Sequence, residues 1–145
     1  MIKVLIKKLD PSVELPSYKT KGASGMDLMA SIKKPIKVQP KTSCLIPTGI
    51  SVAFPEEFEI QIRPRSGLAA KNNISVLNTP GTIDSDYRGE IKVILFNHGN
   101  NDFLINNKDR IAQMILTPVC KMNLEETNNL PETVRGDGGF GSTGK

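Results

Sequence analysis

The chain has 145 residues, a length that suits one domain with a real hydrophobic core and excludes two domains of ordinary size. It contains 12 glycines and 10 prolines, and no stretch of ten or more residues keeps the apolar spacing of an amphipathic helix, which predicts an all-β domain. The net charge of +4 comes from dispersed lysines, so a polyanionic ligand is compatible and no nucleic-acid partner is expected.

The cysteines and the apolar runs exclude further classes of protein. Cys44 and Cys120 form no CxxC pair and the chain has one histidine, His98, which argues against a zinc site and favours reduced thiols. The apolar runs are too short for a signal peptide or a membrane span. We therefore expect a soluble cytoplasmic protein without a membrane partner.

The first half of the chain is predicted to form short strands. Residues 2–6 have the pattern of an edge strand, and residues 59–63 alternate with Ile60 and Ile62 pointing inward. The core candidates between these strands are Ile36, Val38, Leu45, Ile46, Ile50, Val52 and Phe54.

Asp27 interrupts an apolar stretch of small residues. A carboxylate between Met26 and Leu28 needs a partner or water, because an unpaired buried charge is costly. A structural hydrogen-bonding role is favoured here over direct chemistry.

Pro64 ends a strand, and residues 65–73 are predicted to form a short helix that Ser66 starts as its N-cap. Free amides and the Arg65 guanidinium at that position favour an anion such as phosphate. The alternative is an ordinary N-cap beside a surface arginine.

Residues 81–97 form the most informative stretch. Ile91, Val93 and Leu95 alternate as a buried strand, and the preceding segment is predicted to be a hairpin with arms 82–84 and 90–97. Asp84 would then stand on a rigid element, as a catalytic carboxylate should, and Tyr87 offers a ring that can pack on a sugar or a base. The alternative is that Asp84 only forms the turn.

Two amides allow both structural and functional interpretations. Asn78 precedes a turn and either forms it or reads the edge of a base. Gln113 lies within the apolar strand 110–119 and needs a hydrogen-bonding partner from the fold or from a ligand.

The glycine-rich stretch 135–145 cannot contribute a core. Its arginine, hydroxyls and single aromatic residue suit a lid over a phosphorylated ligand, and the alternative is a disordered tail. GFGSTGK has the spacing of a P-loop but no following helix, so we reject that match.

Five segments, in order, resemble the motifs of the trimeric dUTP diphosphatases (dUTPases): ASGMDL, PRSGLA, NTPGTIDSDYRGE, RIAQMI and RGDGGFGSTG. The resemblance implies a jelly-roll-like β domain over residues 1–134, a flexible lid over residues 135–145, and a homotrimer whose subunits exchange this tail. The implied reaction is hydrolysis of dUTP to dUMP and pyrophosphate with Mg²⁺. It limits uracil incorporation into DNA and supplies dUMP for thymidylate synthesis.

The resemblance also implies roles for individual residues. Asp84 would be the general base that activates water for attack on the α-phosphorus, and Tyr87 would leave no space for a ribose 2′-hydroxyl. Asn78 and the backbone from Gly81 through Thr82 to Lys92 would read uracil.

The remaining implied contacts involve the phosphates and the metal. A neighbouring subunit would hold the phosphates through Arg65, Ser66, Gly67 and Gln113. The tail of the third subunit would contribute Arg135, Phe140, Gly141, Ser142 and Thr143, with Phe140 over the uracil. Arg135 would be the second catalytic residue, beside Asp84, and would hold the γ-phosphate with Ser142 and Thr143. The triphosphate would carry the Mg²⁺ without a direct protein ligand, and Asp27 would act through water.

Two other functions stay open. A dCTP deaminase-like enzyme would share the fold, but the lid and the IDSDY turn favour triphosphate hydrolysis. A non-catalytic dUTP sensor would bind and signal through the tail, which would leave Asp84 without a purpose.

Overall fold

The computed structural model describes residues 1–140, and Gly141, Ser142 and Thr143 of the proposed lid lie outside them. One short helix, α1 (Ser66–Asn72), interrupts a succession of strands. The strands are β1 (Leu5–Lys8), β2 (Met26–Met29), β3 (Ile36–Val38), β4 (Ser43–Pro47), β5 (Ile50–Ala53), β6 (Phe58–Arg63), β7 (Ile74–Val76), β8 (Gly81–Ile83), β9 (Lys92–Asn97), β10 (Phe103–Ile105) and β11 (Arg110–Pro118). No helix in this part of the chain has the length and apolar character that crossing a bilayer requires.

All of the described strand pairs are antiparallel. The largest sheet has the strand order β2-β11-β6-β8, and a second sheet has the order β4-β9-β7. Two further pairs, β1 with β5 and β10 with β3, complete the arrangement. The prediction of an all-β, jelly-roll-like domain with one short helix is confirmed.

Apolar side chains from these sheets meet in one core. Ile60, Ile62, Ile91, Val93 and Leu95 are all buried, as their alternation predicts. Each fully buried side chain of this size contributes roughly 1.5–3 kcal/mol of transfer free energy. The other large members of the core are Leu28, Val38, Ile46, Ile50, Val52, Phe54, Ile74, Val76, Ile105 and Ile111.

Leu45 does not belong to this core, so the prediction for it is wrong. Its side chain is 53% exposed, whereas its neighbour Ile46 is fully buried. Cys44, Leu45 and Ile46 are consecutive apolar residues, and on a strand one or the other face must point outward.

The predicted hairpin over residues 82–97 is also wrong. β8 pairs with β6, whereas β9 pairs with β4 and β7. The segment 84–91 therefore crosses from one sheet to the other, and the Ile91 N–H donates to the Ile50 carbonyl, 2.9 Å away. Alternation determines which face of a strand is buried, and it does not choose the partner strand.

The start of α1 differs from the prediction by one residue. Arg65 is the N-cap in an extended conformation (φ −91°, ψ 126°) without a side-chain capping bond, and Ser66 is already helical. The Arg65 side chain bonds outside the helix, to the Asp27 carboxylate and the Arg110 carbonyl. The helix ends at Asn72, and the C-cap Asn73 is a left-handed residue (φ 55°) whose N–H donates to the Ala69 carbonyl.

Candidate active site

A cleft of about 350 Å³ opens where the crossing segment 84–91 leaves β8. Of the residues predicted to bind substrate, it brings together Thr82, Asp84, Tyr87 and Lys92. Leu45, Ile83 and Glu90 complete its lining. Apolar walls beside the Asp84 carboxylate and the Glu90–Lys92 pair suit a small ligand that has both apolar and polar groups.

Asp84 lies directly after β8 and is exposed to solvent. The Tyr87 N–H donates to the Asp84 carbonyl at 3.1 Å, and the Arg88 guanidinium donates to the Ser85 carbonyl at 2.6 Å. The loop is thus closed by its own hydrogen bonds, and the exposed Asp84 carboxylate lies at the cleft without a side-chain hydrogen bond or ion pair among residues 1–140.

The Tyr87 ring is fixed by two features of its own loop. Its hydroxyl donates to the Glu90 carbonyl at 3.0 Å. Gly89 lies against the ring, where an added Cβ would be 2.9 Å from Tyr87 Cε2 and would collide with the phenol oxygen. Only glycine at this position lets the tyrosine keep its place in the cleft.

Asp27 has the partner that its position demands, and in fact has two. Its Oδ1 accepts from Arg65 Nε at 2.9 Å, and its Oδ2 accepts from Arg110 Nη1 at 3.3 Å. Arg65 also donates through Nη1 to the Arg110 carbonyl. The Asp27 carboxylate therefore joins β2, the helix entrance and β11 in one ionic cluster.

Gln113 also finds a partner within the fold. Its Nε2 donates to the Pro64 carbonyl at 2.9 Å, which leaves its second amide hydrogen for a ligand. Ser66 and Gly67 are exposed at the nearby helix entrance, and no atom lies within 4 Å of a Cβ built on Gly67.

A second cleft, of about 400 Å³, contains Arg65, Lys108 and Arg110. Lys108 is partly neutralised, since its Nζ donates to Glu14 Oε1 at 2.7 Å and this bond lowers the pKa of Glu14 below its ordinary value. None of the residues that line the Asp84 cleft lines this one.

The strand register separates the two groups of predicted residues. Gln113 is opposite Arg63 on β6, whereas Ile83, the neighbour of Asp84, is opposite Ile60. Three residues along a strand span about 10 Å. A single chain therefore presents the residues of the Asp84 cleft at one place and the predicted phosphate contacts Arg65, Ser66, Gly67 and Gln113 at another.

Asn78 lies beside the first residue of β8. Its Nδ2 would be 3.2 Å from a Cβ at the buried Gly81, so the glycine leaves room for the amide. Two of the predicted lid contacts, Arg135 and Phe140, lie among the described residues, and neither lines the cleft. Phe140 is fully exposed, and Arg135 Nε donates to the Gly138 carbonyl at 2.8 Å.

Three lining residues of the Asp84 cleft are missing from the predicted site. Leu45 is predicted as a core residue, and Ile83 and Glu90 are predicted only as parts of the two hairpin arms. The consecutive apolar residues at 44–46 could have indicated one outward-pointing aliphatic side chain. Nothing local could have revealed that this side chain borders the Asp84 loop.

Among residues 1–140, no group of three or more histidine, cysteine, aspartate or glutamate side chains is arranged to hold a metal ion. Asp27, which is predicted to act on the metal only through water, has its carboxylate between two arginines. The described residues therefore fit a metal ion that is held mainly by the oxygens of a bound ligand.

Comparison with known proteins agrees on one family. The family model described as dUTPase matches residues 12–144. Deoxyuridine 5′-triphosphate nucleotidohydrolase of Rickettsia bellii is 56% identical over 142 residues, covering 97% of this chain and 95% of that protein. The enzyme of the same name from Chlamydia pneumoniae is 56% identical over 138 residues, covering 94% of this chain and 95% of that protein.

Solved structures share the fold at lower identity. The dUTPase of Staphylococcus bacteriophage 80alpha with dUPNHPP has a TM-score of 0.88 at 22% identity and covers 99% of both chains. A mutant dUTPase from phage phi11 of S. aureus, which coordinates a structural Mg(II) ion, has a TM-score of 0.81 at 18% identity and covers 90% of this chain and 99% of that one. With a family model over residues 12–144 and relatives at 56% identity along almost the whole length, the chain belongs to the dUTPase family.

Proposed function

We propose that this protein hydrolyses dUTP to dUMP and pyrophosphate. The observation that carries the proposal is that Asp84 and Tyr87, joined in one loop, line a single cleft in a chain of the dUTPase family. Its relatives are named for the same activity. We place the reaction in the cytoplasm, because its substrate is a free nucleotide. The product dUMP would serve thymidylate synthesis.

Asp84 is the proposed general base. An exposed carboxylate on a closed loop can accept a proton from a water molecule while keeping its orientation. The activated water attacks the α-phosphorus of dUTP, and pyrophosphate leaves. A positioned base of this kind typically contributes about 10²- to 10⁴-fold to the rate.

The β8 strand supplies the proposed selection of the base. It lies at the edge of the four-stranded sheet, paired with β6 on one side. The outward backbone groups of such a strand can bond the edge of a flat ring, as in strand addition. Uracil would be read by this backbone between Gly81 and Thr82, with Asn78 at one end and Lys92 across the cleft.

The proposed phosphate contacts are Arg65, Ser66, Gly67 and Gln113. Arg65 keeps Nη2 outside its bonds to Asp27 and Arg110, and guanidinium groups suit phosphate oxygens. Because one chain presents these residues away from Asp84, we propose that a neighbouring subunit of a homotrimer supplies them.

A further face fits this assembly. Met26, Phe58, Met114 and Leu116 line an apolar groove beside the N-terminus, and a solvent-exposed groove of this kind is expected to be covered by another subunit. Hydrodynamic mass in solution tests the trimer: the mass of a monomer would contradict it.

The proposed lid is residues 135–145, attached to a β domain of residues 1–134. Arg135, Ser142 and Thr143 would hold the terminal phosphate, with Gly141 giving the backbone close approach and Phe140 covering the uracil. The exposed ring of Phe140 and the local bond of Arg135 support a segment that finds its partners outside its own chain or on a ligand.

Magnesium is the proposed cofactor. Bound to the triphosphate, Mg²⁺ would neutralise phosphate charge and help to orient it. The triphosphate would be its main ligand, and Asp27 would act only through water, consistent with the arginines that occupy its carboxylate.

The first experiment is pyrophosphate release with Mg²⁺ from dUTP, dTTP, dCTP and UTP, on the wild type and on Asp84→Asn. Release from dUTP alone, lost in the variant, is expected. Binding of dUTP without turnover would favour a sensor, and formation of a uracil nucleotide from dCTP would favour a deaminase.

A further inference from the structure

Glu90 joins the crossing segment 84–91, which carries Asp84 and Tyr87, to the turn between β4 and β5. Its Oε1 accepts a hydrogen bond from the Gly49 N–H at 2.9 Å, and its backbone carbonyl accepts the one from the Tyr87 hydroxyl at 3.0 Å. The carboxylate is 22% exposed, so this bond is partly screened from water. One residue thus contacts both a fixed turn and the aromatic ring of the cleft.

The turn on the other side of this bond is held rigidly. Gly49 has a left-handed backbone (φ 69°), and an added Cβ would lie 2.6 Å from Val13 Cγ2 and 2.8 Å from Ser31 Oγ. The turn is also held by its backbone, since the Leu9 N–H donates to the Gly49 carbonyl at 2.8 Å and the Ser31 N–H donates to the Pro47 carbonyl at 2.8 Å. These bonds make the Gly49 N–H an anchor for the Glu90 carboxylate.

Buried bonds fix the chain at the Glu90–Ile91 peptide group and immediately after it. Thr48 Oγ1 donates to the Ile91 carbonyl at 2.6 Å, and the Ile91 N–H donates to the Ile50 carbonyl. The Glu90 carbonyl, which receives the Tyr87 hydroxyl, shares this planar peptide group with the Ile91 N–H. The Glu90 side chain adds a separate attachment, because its carboxylate bonds the Gly49 N–H. Its Oε2 also lies 3.8 Å from Lys92 Nζ, in the same cleft.

We infer that Glu90 is a positioning residue that sets the place of the Tyr87 ring and thereby the discrimination between deoxyribose and ribose. The inference rests on the proposed function, in which Tyr87 excludes a 2′-hydroxyl by close contact. Steric exclusion of one oxygen atom is lost when the excluding ring moves by a fraction of an ångström. Loss of the bond to Gly49 would remove the attachment of Glu90 that does not depend on the Ile91 peptide, so that the loop carrying Tyr87 shifts, the ring recedes and the ribonucleotide is admitted.

The test compares the ratio of kcat/KM for dUTP to that for UTP in the wild type, Glu90→Ala and Glu90→Gln. Loss of a hydrogen bond to a charged group typically corresponds to a factor of ten or more, so we expect Glu90→Ala to lower the ratio about tenfold. Glutamine keeps an acceptor for the Gly49 N–H, so Glu90→Gln should stay within about threefold of the wild type. Asp102→Ala removes an exposed carboxylate from the Lys37 pair and should leave the ratio unchanged.

A second measurement needs neither turnover nor a stable Glu90→Ala protein. The dissociation constants of dUTP and UTP are measured on the Asp84→Asn background, alone and combined with Glu90→Gln or with Tyr87→Phe. Tyr87→Phe removes the hydroxyl that bonds Glu90 and should lower the affinity ratio, whereas Glu90→Gln should keep it.

Three results would overturn the inference. They are an unchanged kcat/KM ratio in a folded Glu90→Ala protein, a ratio in Glu90→Gln as low as in Glu90→Ala, and an unchanged affinity ratio when Tyr87→Phe is added to the Asp84→Asn background. Failure of the wild type to hydrolyse dUTP rejects the proposed function instead. The affinity ratios still decide the role of Glu90 in that case.

Discussion

Tyr87 donates its backbone N–H to the carbonyl oxygen of Asp84, 3.1 Å away. The proposed base and the proposed sugar-contacting ring therefore belong to one turn and move together. This turn joins two sheets, since β8 before it pairs with β6 and β9 after it pairs with β4 and β7. The cleft is accordingly a feature of the junction between the sheets.

Asp84→Asn should lower kcat for dUTP by about 10²- to 10⁴-fold because the amide cannot accept a proton. The dissociation constant of dUTP, measured by calorimetry, should change only a few-fold. Asp86→Asn is the matched control and should keep near-normal turnover, since Asp86 lies in the same loop and lines a neighbouring cleft with Asp84, but not the cleft that Tyr87 lines. Loss of binding in Asp84→Asn would make this carboxylate structural.

Deletion of residues 135–145 should leave the melting temperature nearly unchanged and remove most of the activity. Arg135 bonds only to Gly138 among the described partners, and Phe140 is exposed, so the described part of the segment buries little in its own chain. Thermal denaturation and pyrophosphate release measure the two effects. A truncated protein that keeps full activity would refute the lid.

Gly25→Ala should destabilise the fold and weaken the binding of the phosphates. An added Cβ would lie 2.9 Å from both Gln113 Oε1 and Ile115 Cγ1, so Gln113 would be pushed from its bond to the Pro64 carbonyl. Overpacking of this kind typically costs about 1–3 kcal/mol in the free energy of unfolding. Gly22→Ala has open space and should stay within about 0.5 kcal/mol in chemical denaturation.

Leu45→Ala should raise KM for dUTP roughly fivefold and leave kcat almost unchanged, because it removes about 1 kcal/mol of apolar contact with the ligand. Leu77→Ala is the control, since Leu77 is exposed to a similar extent (51% against 53%) and does not line the cleft. Steady-state kinetics decide the matter. Equal effects of the two substitutions would show that Leu45 does not contact the nucleotide.

Asp27→Ala should lower the free energy of unfolding by about 1–3 kcal/mol, because Arg65 and Arg110 would both lose their acceptor in a partly buried place. KM for dUTP should rise as Arg65 loses its orientation. Asp102→Ala breaks a single exposed ion pair and should cost at most about 1 kcal/mol in urea denaturation. A stable Asp27→Ala protein with normal KM would contradict the positioning role.

Much of this protein is determined by local features of the sequence. The spacing of Ile91, Val93 and Leu95 specifies a buried face, because side chains on a strand alternate. The five motifs identify the family, since they preserve the residues that a reaction needs in chain order. An isolated carboxylate in an apolar stretch, such as Asp27, also predicts that the fold supplies it with a partner.

The tertiary structure decided which elements meet. The partners of Asp27 lie 38 and 83 residues away, and no local pattern names them. Alternation could not tell that β8 pairs with β6, nor that Leu45 borders the cleft. Side-chain periodicity follows from the geometry of one strand, whereas strand pairing and site assembly depend on the packing free energy of the whole chain.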